Sequence, residues 1–178
     1  MIRNNKIHNL YFGFYSNSVG DMLIENNLFY NNGHYGIDPH TGTHDMIIRN
    51  NTVYGNNGTA IICSLDCYNI LIEKNKVYNN TGSGITFSRN MTNSVVRSNF
   101  VHNQNNAIFV SASHNNEVYN NTIFNTDDGI SFANGASNNK AHDNRIINAI
   151  NALRFNADSL ENVIYSNKII SNATLHNR

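Results

Sequence analysis

The sequence predicts an all-β fold, a right-handed parallel β-helix of about eight coils with three short strands per coil. Three recurrences carry that prediction. An asparagine returns at Asn5, Asn27, Asn51, Asn75, Asn99, Asn121, Asn144 and Asn167, at intervals of 22 to 24 residues. A small residue and then an apolar one follow it: Gly13-Phe14, Gly36-Ile37, Ala60-Ile61, Gly84-Ile85, Ala107-Ile108, Gly129-Ile130 and Ala152-Leu153. A third apolar patch precedes it, as in Met22–Ile24, Met46–Ile48, Ile70–Ile72, Val95-Val96 and Val163-Ile164.

One coil of this length cannot bury its own apolar side chains. Coils stacked ~4.8 Å apart can, because each strand then pairs with the coil above and the coil below. Asparagine accounts for 38 of the 178 residues, and its regular spacing among Ile, Val, Phe and Tyr argues against a low-complexity tract. Buried at equivalent turns, these side chains can bond to one another as a ladder.

The chain reads as a single β-helix domain over residues 1–178. The repeat is already under way at Arg3-Asn4-Asn5-Lys6-Ile7, so the chain is expected to be part of a longer solenoid or multidomain protein. Exposed coil ends would be unpaired sheet edges, which invites end-to-end self-association. Formal net charge is +0, without the basic excess of a nucleic-acid binder. No apolar run reaches the ~20 residues of a membrane-spanning helix. Cys63 and Cys67 lack the partners of a zinc site, and a buried Cys63 with an ordinary Cys67 is the expected state.

Alternation after each Gly or Ala anchor assigns faces. Ile37 and Pro39, Ile61 and Cys63, Ile85 and Phe87, Ile108 and Val110, Ile130 and Phe132, Leu153 and Phe155 point inward. Two outward columns result. One runs Tyr15, Asp38, Ile62, Thr86, Phe109, Ser131, Arg154; the other runs Asn17, His40, Ser64, Ser88, Ser111, Ala133, Asn156. They read as a polar strip open to water and suited to an extended polysaccharide, with Phe109 as a stacking face. The strip is richest where His34, Tyr35, Asp38 and His40 stand together with His44 following, beside the only proline. Such a concentration of proton-transfer groups is a candidate site.

At Tyr35-Gly36-Ile37-Asp38-Pro39-His40 the sequence resembles the mannuronan C5-epimerases, which convert mannuronate to guluronate within alginate. The resemblance continues through His44, Met46-Ile47-Ile48, Asn51, Val53-Tyr54-Gly55 and Ala60-Ile61-Ile62, and through Ser88-Arg89-Asn90. It spans roughly residues 25 to 150. It implies a linear acidic polysaccharide as partner and a periplasmic or extracellular location. It implies His40 and Tyr35 as base and acid, Asp38 as the group that orients them, and His34 or His44 as substitutes for His40. Arg89 is the implied partner of the substrate carboxylate. Ser64, Asp66, Ser88, Phe109 and Arg154 would line the groove. No cofactor and no metal are expected, since the glycine- and aspartate-rich nonapeptides that bind calcium are absent. Two other readings stay open: a lyase on the same scaffold, sharing the C5 proton abstraction, and a non-catalytic carbohydrate-binding or surface module, favoured by the few cations.

Overall fold

The computed structural model describes residues 1–171. They form a parallel β-solenoid whose first sheet has eight strands, from Ile2–Arg3 through Met22–Glu25, His44–Arg49 and Tyr68–Glu73 to Val163–Tyr165. The second face begins at Lys6–His8, Leu28–Tyr30, Thr52–Tyr54 and Lys76–Tyr78, and the third at Phe14–Asn17, Ile37–His40, Ile61–Ser64 and Ile85–Ser88. Every strand pairing is parallel and in coil register. Ile24, Ile48, Ile72 and Val96 align on the first face. Phe29, Val53, Val77 and Val101 align on the second, and Phe14, Ile37, Ile61, Ile85 and Ile108 on the third. These columns fill the interior, where Phe29, Ile37, Ile48, Ile61 and Ile85 are wholly buried.

All eight anchoring asparagines form one ladder. The backbone N–H and Nδ2 of Asn51 both donate to Asn75 Oδ1, at 2.9 and 3.1 Å, and Asn75 repeats this onto Asn99 Oδ1. From Asn27 onward each Nδ2 also reaches the coil below, as from Asn75 to the Ile48 carbonyl at 2.9 Å. Shorter ladders hold the other corners, Asn32–Asn56–Asn80 at one and Ser94–Asn116–Asn139–Asn162 at the other.

The asparagine excess has a second cause that the ladder expectation missed. Asn26, Asn31, Asn50, Asn79, Asn103, Asn120 and Asn125 sit at corners with φ between 52° and 56°. Asparagine enters this left-handed region more readily than other side chains. One set of asparagines therefore bends the chain while the other bonds the bends together.

Where the ladder residue at the second corner is no longer asparagine, the corner changes. Gln104, Thr126 and Ala149 take its place, and there the strands Phe100–Ser111, Thr122–Ala133 and Arg145–Phe155 run unbroken around the bend. The second and third faces thus merge into one 12-stranded sheet.

Two expectations need adjusting. Cys67 is as fully buried as Cys63; both are free thiols, and Cys67 Sγ donates to the Ser64 carbonyl at 3.0 Å. Phe155 stacks on Phe132 as an inward residue should, but is 46% exposed because it lies in the last full coil described.

Candidate functional site

The Ile37–His40 strand carries the candidate site, and its neighbours shape it. Gly36 is required by packing: a Cβ there would meet Val53 Cγ1 at 2.5 Å and the Ala60 carbonyl at 2.6 Å. That tight passage delivers Tyr35 to one end of the strand and His40 to the other. Pro39 has no N–H to donate, and pairing to the next coil is made at Ile37↔Ile61 and His40↔Ser64, on either side of it. Asp38 stands between, one coil above Tyr15.

The outward columns are not the open strip that alternation predicted. Asp38 is 2% exposed and Ser64 0%. Thr86, Ser111 and Ser131 are also buried. They form the floor of a groove with longer side chains at its margins, a depth that two-residue alternation along one strand cannot encode.

Arg89 enters from a corner two coils on. Its Nη2 donates to Ser64 Oγ at 3.2 Å, and it forms no ion pair among the described residues. Its charge acts on three groups at once. Burial pushes Asp38 up to about 7, with Arg89 only partly opposing. Tyr35 is raised, first by burial and then by Asp38. His40 is lowered, first by burial and then by Arg89. At neutral pH these directions favour a neutral His40 and a protonated Tyr35. Asp38 Oδ1 is buried without any hydrogen-bond partner, and so is His34 Nδ1. An orphaned carboxyl oxygen in a groove is a group held for a ligand or at a cost.

Rings build one wall of the groove. Phe12 packs against Tyr15, His34 and Tyr35 at centroid distances of 5.5, 5.4 and 5.7 Å, and Tyr15 meets His40 at 5.5 Å. The sequence reading placed Tyr15 in Asp38's column but gave neither Tyr15 nor Phe12 a part in the site. The available signal was the 23-residue offset that sets Phe12 below Tyr35.

The structure therefore brings together Tyr35, Asp38, His40, His34, Arg89 and Ser64. It does not bring His44, which lies on the first sheet, stacked on Tyr68 at 4.8 Å and bonded through Nδ1 to Asp45 at 2.8 Å. Asp66 occupies an exposed left-handed corner and accepts from Asn90 Nδ2 at 2.6 Å, beside Arg89 rather than in the groove. Ser88 is half-buried above Ser64. Phe109 lies further along the groove, and Arg154 further still, paired with Asp128 at 2.8 Å. No three His, Cys, Asp or Glu side chains gather as a metal cage among the described residues.

Asp38 makes a stability prediction. Below pH ~4 the carboxyl is protonated both folded and unfolded. Between there and about 7 the folded state binds the extra proton, so stability falls as pH rises, and the full penalty is present above 7. Asp38→Asn should therefore stabilise the fold at pH 8, by up to about 4 kcal/mol, and have little effect at pH 4. Urea unfolding at the two pH values measures this; an equal effect at both would refute a buried, uncompensated carboxyl.

A family model described as "Right handed beta helix region" matches residues 1–111 and 41–176. Among curated proteins, none matches this sequence. Several solved structures share the fold. The Azotobacter vinelandii mannuronan C-5 epimerase AlgE4 A-module superposes with a TM-score of 0.87 at 20% identity, over 96% of this chain and 53% of that one. A variant of the periplasmic alginate epimerase AlgG gives 0.82 at 22% identity, over 92% of this chain and 49% of that one. DFA-IIIase from Arthrobacter chlorophenolicus A6 gives 0.66 at 14% identity, over 98% and 60%. The chain thus spans about half the length of the epimerase chains it matches. At these identities the likeness is one of fold.

Proposed function

We propose that this chain, which belongs to the right-handed β-helix family, acts on polysaccharide uronates by moving the proton on C5, as a C5-epimerase does. The observation that carries the reading is the Tyr35–Asp38–His40 row with Arg89 above it and an unpartnered Asp38 oxygen at its centre.

The proton on C5 is weakly acidic, and its removal sends electrons into the neighbouring carboxylate. That charge must be met by fixed donors. Arg89 has a guanidinium without an acid partner among the described residues, and Asp38, kept protonated by burial, can donate where an ionised aspartate would repel. His40, held neutral, is the base that takes the proton from C5. Tyr35, held protonated at the other end of the strand, returns a proton to the opposite face of the same carbon. C5 inverts, and atoms and charge balance once His40 and Tyr35 re-equilibrate with water. The epimerases named above share the fold, which supports a periplasmic or extracellular polysaccharide as the target.

The protein should be incubated in deuterated water with polymannuronate and, separately, with a polymer in which uronates alternate with neutral hexoses. Proton NMR then follows C5. Deuterium at an inverted C5 in either polymer is the expected result. Unsaturated chain ends would assign the same proton abstraction to a lyase. No exchange in either would end the enzyme reading and leave a binding module.

A further inference from the structure

Four coils beyond Asp38 the same groove holds a second polar pocket of different character. A cavity of about 160 Å³ is bounded by Asn106, Phe109, Asp128, Ser131, Asn134 and Arg154. Register places its parts. Asp128 pairs with Asn106, in the column that begins at Phe12 and Tyr35, and Arg154 pairs with Ser131, in the column of Asp38. Four coil steps put the two sites ~19 Å apart along the solenoid, room for several linked sugar rings. Between them the floor is Ile62, Ser64, Thr86, Ser88 and Ser111, and Thr86 Oγ1 has no hydrogen-bond partner among the described residues. The two sites therefore lie on one path.

Their electrostatics differ. At the first, Arg89 has no acid partner among the described residues. At the second, Arg154 Nη1 donates to Asp128 Oδ2 at 2.8 Å and Asn151 Nδ2 donates to Asp128 Oδ1 at 2.8 Å. Asp128 is only 4% exposed, whereas the Arg154 side chain that reaches it is 57% exposed. The pocket carries no spare positive charge. The Ser131 hydroxyl donates to Asn106 Oδ1 at 3.1 Å and Asn134 Nδ2 donates to Ser111 Oγ at 2.6 Å, so the pocket offers a neutral amide and hydroxyl network beside a half-buried Phe109 ring, partners for sugar hydroxyls and for an apolar sugar face. A second uronate here would add a negative charge beside Asp128, a like-charge contact in a poorly solvated place.

The geometry points to a substrate that is a mixed polysaccharide, with an isolated uronate at Arg89 and a neutral hexose seated at the Asp128–Arg154 pocket. This rests on the proposed C5 chemistry for the uronate end, whereas the neutral end stands on the pocket alone. It also gives the scarcity of cations a meaning: a groove for a uniform polyanion should be basic along its length, and this one has a single uncompensated arginine.

Two probes separate the ends. Neutral β-1,4-linked mannopentaose should shift the backbone amide signals of Asn106, Ser131 and Arg154 in the intact protein, and a mannuronate pentamer should not. Asp128→Asn keeps the side-chain shape and frees the charge of Arg154, so affinity for the mannuronate pentamer should rise about tenfold at low salt while that for mannopentaose does not rise. Arg154→Gln, at a side chain 57% exposed, should weaken mannopentaose several-fold and abolish the gain when combined with Asp128→Asn, with urea unfolding of the single variant checking that Asp128 tolerates the loss of its cation. In the exchange assay the alternating polymer should outperform polymannuronate. A wild-type pocket that takes the uronate pentamer as well as the neutral one, or that gives no shift with mannopentaose, overturns the inference even if C5 exchange is observed. Pocket shifts without any C5 exchange would overturn only the reading of the first site.

Discussion

Replacing His40 by alanine is expected to lower C5 proton exchange by about 10²- to 10⁴-fold, the range that a positioned base contributes, with the unfolding transition left in place. The side chain is half-buried at a groove edge, bonded through Nδ1 to Thr41 Oγ1 at 2.7 Å and touching the Tyr15 ring, so its loss opens no core cavity. Tyr35→Phe is the sharper test. It keeps the ring that packs on Phe12 and His34 and removes only the hydroxyl. If His40 takes the proton and Tyr35 returns it, the phenylalanine variant should still exchange C5 with solvent at a reduced rate but yield little inverted product. The alanine variant should do neither. Full inversion in both variants would show that the residues had been misassigned. The pH profile adds a check. Activity should fall on the acid side as His40 takes up its proton, below the usual histidine range, and on the alkaline side as Asp38 ionises at about 7. Asp38→Asn should remove the alkaline limb if Asp38 serves as a protonated donor.

The second large effect is expected in the scaffold. Asn75→Ala should cost about 3–5 kcal/mol, read as a lower urea midpoint with the slope retained. The Asn75 side chain accepts from the N–H and Nδ2 of Asn51 and donates to Asn99 Oδ1 and the Ile48 carbonyl. Its removal strands buried donors and an acceptor between two coils. Asn79 is four residues away and the same amino acid, but its task is a backbone angle of 53°. Asn79→Gly should be close to neutral, and Asn79→Ala should cost about 1 kcal/mol. Asn75→Gly should be at least as damaging as Asn75→Ala. Equal responses at the two sites would mean that the two roles of asparagine are not distinct.

Much of the molecule is written locally. The 22- to 24-residue return of asparagine, with an apolar pair at constant offset, leaves one arrangement in which every apolar face is covered, and the columns found are those the spacing implies. The hexamer at Tyr35–His40 includes Asp38, whose buried carboxyl oxygen has no hydrogen-bond partner among the described residues. What the sequence did not separate was asparagine that bonds from asparagine that bends, since the two stand side by side in pairs such as Asn50-Asn51 and Asn120-Asn121.

The site's membership was decided in three dimensions. His44 is four residues from His40 and belongs to another face, because the corner at Thr41 and Gly42 turns the chain away through two left-handed residues. Arg89 is two coils distant and belongs to the site, because stacking makes a step of one coil only ~4.8 Å. The same stacking buries Asp38 and so raises its carboxyl, and it pairs Arg154 with Asp128 while leaving Arg89 free. Sequence by itself determined the repeat, the core and the coil to examine. Only the tertiary structure decided which charges meet, because desolvation and ion pairing depend on neighbours from coils above and below that lie many residues away in the chain.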